Sequence, residues 1–280
     1  DAAGISMLSA VDFFRGYGRI TPAGIITTNN TAAKVSMEVS YDTDLLRLER
    51  VEPETMELRG DRVTLGTIMP GERRTVAFLF DPQLCQQTYL DGNMRYYDTR
   101  GEVHHVQMKR RQATVVCPVF FTRENANTAM LRRLITDRLH MTDLRVFRYP
   151  KEIGPREALK VGMAALGGDI QKVSEYEVEG PPHEGEVWYF AETKVKGFQM
   201  VMRMSVIEEK GVLEFFCAST AMEPITGLLA EFKRELNRVL HERHRKGVEV
   251  ERDESVRQEL EGRALLMDRV GEGEIEPEDV

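Results

Sequence analysis

The chain has 280 residues, 41% of them hydrophobic, which is enough apolar material for more than one core. Its 46 acidic residues exceed its 38 Lys and Arg, and the formal net charge of -8 argues against a surface built as a whole to hold nucleic acid or anionic lipid. The purely apolar runs fall far short of the ~20 residues that a membrane-spanning helix requires.

The chain opens at Asp1 without a basic-then-apolar leader, as expected for a piece of a longer protein. From about residue 11 to 121 it alternates apolar and polar residues in short runs. Val35 to Tyr41, Leu46 to Glu49, Arg62 to Gly66 and Arg74 to Phe80 all follow a period of two. Pro53, Gly60-Asp61, Pro70-Gly71 and Asp81-Pro82 break these runs. Further runs at Met94 to Tyr97, Val103 to Met108 and Ala113 to Phe121 bring the expected total to roughly seven to nine strands. The pattern predicts an all-β immunoglobulin-like sandwich over residues 1–122.

After Phe121 the period changes. Met130, Leu131, Leu134, Ile135 and Leu139 fall on one helical face, with Asn125 or Asn127 suited to cap the first turn. A second helix is expected from Gly154 or Pro155 to Met163, ahead of Gly167-Gly168-Asp169, which reads as a turn. Strands return at Glu186 to Val195, Gly197 to Ile207 and Val212 to Ser219. The longest helix, Glu223 to Arg245, follows, with Ile225, Leu228, Leu229, Phe232, Leu236, Val239 and Leu240 on its inner stripe. Residues 123–247 are therefore expected to form an α+β domain.

Within it, Phe198, Met200, Met202, Met204 and Val206 share a face with Leu213, Phe215 and Cys217, and the long helix is expected to cover that face. The opposite face carries Gln199, Val201, Arg203, Ser205, Val212, Glu214 and Phe216, a mixture suited to contact with a partner. Glu214 is diagonal to Arg203 in this register, so an ion pair between them competes with any ligand role. Residues 248–280 form an acidic tail, in which Val256, Leu260, Ala264, Met267 and Val270 recur at helical spacing. A peripheral helix is expected over 251–270, with disorder over Gly271 to Val280.

The order of elements resembles the appendage (ear) domains of clathrin adaptor and coatomer large subunits, a sandwich followed by a platform. The likeness covers roughly residues 11 to 245. It is carried by Phe190-Ala191-Glu192-Thr193-Lys194, Met200-Val201-Met202-Arg203-Met204 and Val212 to Ser219 with the closing helix. The resemblance implies a non-catalytic module that captures short aromatic and acidic peptides of partner proteins on the platform. Arg203 matches the family's groove arginine, Leu134 stands where clathrin adaptors place a tryptophan, and Glu214 stands where they place a second arginine. The partner-binding set so implied is Arg203, Leu134, Arg133, Glu214 and Phe216.

No nucleophile elbow, phosphate-binding loop or His-Glu-x-x-His helix occurs, and no cofactor is expected. His241 and His244 supply two ligands on one helix face but no third, and His104-His105 project to opposite faces of a strand. Lys109-Arg110-Arg111 reads as a solvated strand end. Cys85, Cys117 and Cys217 are odd in number and lack a C-x-x-C pair, so free thiols in a reducing, cytoplasmic compartment are expected, with Cys117 and Cys217 as core fillers. Two other functions fit the same residues: an enzyme with a site between the domains, using Glu192 or Glu214 with a histidine, or a subunit that oligomerises through the 251–270 helix.

Overall fold

The computed structural model describes residues 5–14, 17–26, 30–123, 125–167, 169–178, 180–251, 254–263 and 265–272. The chain divides into two compact units, Asp1–Val116 and Cys117–Val280.

The first unit is all-β. In chain order its strands are β1 (Ile5–Phe14), β2 (Tyr17–Ile26), β3 (Ala32–Ser40), β4 (Leu46–Glu52), β5 (Leu58–Arg59), β6 (Arg62–Ile68), β7 (Arg73–Thr75), β8 (Ala77–Pro82), β9 (Gln87–Tyr97), β10 (Val103–Gln107) and β11 (Arg111–Thr114). They pair antiparallel in two sheets, one ordered β1-β2-β8-β4 with β7 on β2, the other β10-β9-β3-β6-β5 with β11 on β9. Alternation places Val35, Met37 and Val39 of β3 inside, beside Leu90 and Met94 of β9. Ile20, Phe78 and Phe80 of the other sheet join the same hydrophobic core. Gly92 lets β9 approach β3, because a β carbon there would lie 2.4 Å from Met37 Cε and 3.2 Å from the Glu38 carbonyl oxygen.

Four expectations change here. Eleven strands are described where roughly seven to nine were expected, and β1 and β2 lie ahead of the first run read from the sequence. The run Arg74 to Phe80 splits at Val76, with β7 pairing β2 and β8 pairing both β2 and β4. The expected strand Ala113 to Phe121 ends at Thr114, since Pro118 has no N–H to offer a ladder; Phe120 keeps only an isolated bridge to Thr193. Cys85 and Cys117 form a disulfide and leave Cys217 as the free thiol. Cys117 is therefore not a free core filler. Their separation in sequence carried no sign that they meet in space.

The second unit is α+β. Its elements are α1 (Thr128–Asp137), β12 (Met141–Arg148), α2 (Pro155–Ala165), β13 (Gln171–Val178), β14 (Glu184–Glu192), β15 (Gln199–Ile207), β16 (Val212–Ser219), α3 (Met222–His244), β17 (Glu249–Val250), α4 (Glu254–Glu261) and α5 (Leu266–Glu272). The strands form one antiparallel sheet ordered β13-β14-β15-β16-β12-β17. β12 and β13 were not expected as strands. Asn127 caps α1, its side chain accepting the Met130 N–H at 2.9 Å, and Pro155 opens α2 where no intrahelical N–H is needed. Arg245 ends α3 in the left-handed conformation, with Arg243 in the last turn, where a cation meets the negative end of the helix dipole.

Met200, Met202, Met204, Val206, Leu213, Phe215 and Cys217 form the apolar sheet face beneath α3, as the alternation required, but Phe198, expected with them, precedes β15 and is half-buried outside that core. Phe232 of α3 stacks on Phe215 at 4.0 Å between ring centroids. The single helix expected over 251–270 is instead two short helices, broken after Glu261 where Gly262 weakens helix propensity. Of the stretch Gly271 to Val280 expected to be disordered, Gly271 and Glu272 instead close α5 and the rest lies outside the described residues, as does Gly168 of the expected turn. Among the described residues no helix is long and apolar enough to cross a membrane.

Candidate functional site

The face of the second sheet opposite α3 is built by alternate residues of three strands. β14 supplies Glu184, Glu186, Trp188 and Phe190; β15 supplies Val201, Arg203, Ser205 and Ile207; β16 supplies Val212, Glu214, Phe216 and Ala218. In register, Trp188 stands opposite Arg203 and Glu186 opposite Ser205, while on the other side of β15 Arg203 faces Phe216 and Ser205 faces Glu214. This face was expected to stand open for a partner. It is covered by the chain's own helices: Leu131 and Leu134 of α1 and Met267 of α5 pack on Trp188, Phe190, Val201 and Ala218. Leu260 of α4 packs with Leu144, Val146, Ile207 and Val212. The sequence pattern identified the face correctly but could not show what lies on it.

Four of the five residues implied for partner binding converge there. Arg203 is 5% exposed, Glu214 is fully buried, Leu134 is buried in the α1 contact and Phe216 is half-buried at its edge. Arg133 is exposed on α1. Arg203 does not reach solvent as a free anchor: its Nη2 donates to Glu214 Oε2 at 2.8 Å, and Ser205 Oγ donates to the same oxygen at 3.1 Å. Arg203 also lies over the rings of Trp188 and Phe216, 6.0 and 5.6 Å from their centroids. Burial holds the Arg203 guanidinium below its ordinary range, against the opposing pull of Glu214.

Glu186 is fully buried and its contacts were missed from sequence. Trp188 Nε1 donates to its Oε1 at 2.7 Å, and the backbone N–H groups of Met267 and Leu266 donate to Oε1 and Oε2 at 3.0 and 3.3 Å. At the edge of the sheet, Asp143 of β12 accepts from Arg145 at 3.1 Å and from Arg257 of α4 at 2.7 Å. Burial raises the Asp143 carboxyl despite both guanidinium groups. Arg263, after α4, lies 3.6 Å from both Glu184 and Glu214, and Arg269 of α5 lies 3.2 Å from Glu184.

A pocket of about 300 Å³, open to solvent, lies where sheet and cover meet, with Trp188, Arg203 and Phe216 on one side and Arg263, Leu265 and Asp268 on the other. At this seam Arg203 Nε, Glu214 Oε1 and Arg263 Nε are buried with no hydrogen-bond partner among the described residues. Hydrogen bonding here is incomplete on both the sheet and the covering segment.

No protein-family model matches the chain. No curated protein matches it. Among solved structures it is similar to a DUF4466 family protein from Parabacteroides merdae at 7% sequence identity, with a TM-score of 0.29, over 78% of this chain and 99% of that one. A likeness of that size carries neither fold nor function to this protein.

The remaining chemical candidates are accounted for by local contacts. Asp98, Glu102 and His104 bring three ligand atoms within 4.8 Å of one another in the first unit. Asp98 Oδ1 accepts the N–H groups of Arg100 and Glu102, and Oδ2 lies 3.0 Å from His104 Nε2, so the cluster serves as a turn lock. His105 makes a separate contact, with Asn93 at 3.1 Å. On α3, His244 lies 3.3 Å from Glu157 while His241 is exposed. Glu192, one of the two acids weighed for acid–base chemistry, accepts the Arg123 N–H at 2.8 Å; Glu214, the other, is held by Arg203 and Ser205. In the basic run, Arg110 pairs with Asp91 and Arg111 donates to Ser9.

Proposed function

We propose that this protein is a non-catalytic interaction module, an immunoglobulin-like sandwich followed by a platform resembling those of adaptor and coatomer appendages, which receives a peptide segment on the β14–β15–β16 face. One observation carries the reading: that face buries Glu186, Arg203, Ser205 and Glu214, charged and polar groups a self-sufficient core has no need of, beneath a separate short segment of chain. Polar groups set at fixed positions along strands give an approaching segment a defined register, while the apolar rims of Trp188, Phe216 and Leu144 supply contact area.

The disulfide bears on location. The cytoplasmic placement rested on free thiols, and the Cys85–Cys117 bond removes that support. An oxidising compartment is the setting in which such a bond persists, and we place the protein there.

The test is a peptide library presented to the full chain, with each ligand mapped by backbone amide exchange. Ligands of one chemical class that protect β14, β15 and β16 support the reading. Ligands that protect only the first unit, or none that bind, refute it.

A further inference from the structure

We infer that residues 254–272 are a built-in, displaceable occupant of the β14–β15–β16 face, and that the partner taken in their place is a basic, apolar helical segment rather than an acidic one. The inference rests on the interaction-module reading and adds to it both the chemistry of the partner and the means of control.

The charge of the face comes first. Without the segment, Glu184, Glu186 and Glu214 supply three carboxylates on that face against the one guanidinium of Arg203. That guanidinium is already matched by Glu214. An acidic peptide would therefore approach a surface of its own sign, the cations freed with the segment, Arg132 and Lys210, standing on α1 and on the turn after β15 rather than on the face. The segment answers with Arg263 between Glu184 and Glu214 and Arg269 on Glu184, while Arg257 reaches Asp143 on β12 beside the face. Its acids turn to other partners: Glu259 to Lys210, Glu261 to Arg257 and Asp268 to Arg132. So a segment that is acidic in composition presents arginines to the sheet.

The fit is loose in ways that favour exchange. Among the described residues its fully buried apolar anchors are Leu260, Leu266 and Met267, whereas α3 buries Ile225, Phe232, Leu236 and Leu240 along its length. The pocket beside Trp188 and the unpartnered Arg203 Nε, Glu214 Oε1 and Arg263 Nε mark contacts the segment does not complete. Buried polar atoms seldom go unpaired. A better-fitting segment of the same chemistry would gain what this one leaves unmade. The arginine pairs also lose strength as salt screens them, except where burial protects them.

The chain contains one tryptophan, Trp188, which is 1% exposed and lies beneath the segment, so release is readable from its emission. The probes are a dye-labelled peptide with the sequence of residues 254–272, the same peptide with both Arg257 and Arg263 replaced by Glu, and an acidic, aromatic peptide. The receptor is the full chain carrying Arg257→Glu and Arg263→Glu. The expected result is a red-shifted Trp188 emission with β14–β16 amides still protected, reversal of the shift by the native-sequence peptide, and no binding of the other two. Raising salt should weaken that binding roughly tenfold. Should the variant fail to fold, amide exchange of the wild-type chain replaces it: residues 254–272 should lose protection with added salt before β14–β16 do.

An unshifted Trp188 with residues 254–272 fully protected, or loss of protection in both at once, overturns the inference by making the segment part of the core. Binding of the acidic peptide alone to the opened chain overturns the partner chemistry and leaves the interaction module standing. Binding of no peptide to an opened, folded face removes both.

Discussion

Glu214 sits directly across from Ser205 and one step diagonally from Arg203, and a single carboxylate oxygen accepts from both side chains inside the protein. The pair is nearly sealed from water, with 6% of the Arg203 side chain and none of the Glu214 side chain exposed. Its attraction is strong there, but so is the cost of stripping water from both ions, so its value lies in the penalty for breaking it.

Glu214→Ala is accordingly expected to destabilise the protein by about 3–5 kcal/mol, because it strands a buried guanidinium. The double variant Arg203→Met with Glu214→Leu should lose far less, since neither charge remains to be buried. Urea unfolding of Arg203→Met, of Glu214→Leu and of the double variant measures this as a coupling. Additive losses would show that the two groups do not act as a pair.

Phe232 contacts Phe215 at 4.0 Å and Phe147 at 5.6 Å between ring centroids, at the centre of the core under α3. Phe232→Ala leaves a cavity that a surrounding sheet cannot close. A loss of about 3–5 kcal/mol is expected by chemical denaturation.

The cysteines predict a thiol count. Cys217 is fully buried, and burial raises its thiol above the ordinary range, so the native protein should react with no thiol reagent on a scale of minutes. In denaturant one thiol should titrate, and after reduction all three cysteines should. Two or more thiols in the unreduced, denatured protein would contradict the Cys85–Cys117 bond.

Asp98 links stability to acid. The hydrogen bond from His104 is the chief cause of its lowered pKa, aided by the N–H groups of Glu102 and Arg100. A carboxyl with a folded pKa below the unfolded one stabilises the fold above its unfolded value, and the gain disappears as pH falls through the folded value. Asp98→Asn should therefore lower the melting temperature at neutral pH. The gap from wild type should close as the pH drops below about 4, the ordinary aspartate range. A gap constant with pH would show that the carboxylate's charge plays no part.

Much of the architecture was legible in advance because alternation and helical spacing are local. Val35, Met37 and Val39 declare an inward strand face, and Ile225, Phe232 and Leu236 declare the inner stripe of α3. The register that set Glu214 diagonal to Arg203 followed from one hairpin at Glu208 to Gly211. The strands β12 and β13 were missed because Asp143, Arg145, Lys172 and Glu175 interrupt the apolar pattern. Glu186 gave no signal at all. Its importance comes from the N–H groups of Leu266 and Met267, which meet it only after the chain has folded back.

Sequence alone determined which side chains share a face, where the long helix runs and that its inner stripe needs the methionine-rich side of the sheet, since these depend on spacing along one stretch of backbone. Tertiary structure decided that Cys85 meets Cys117, that Arg203 is spent on Glu214, and that the other side of the sheet lies under α1, α4 and α5. The difference is physical. Backbone geometry repeats every few residues and leaves its mark in the order of amino acids, whereas contact between distant segments depends on how the folded chain brings them together.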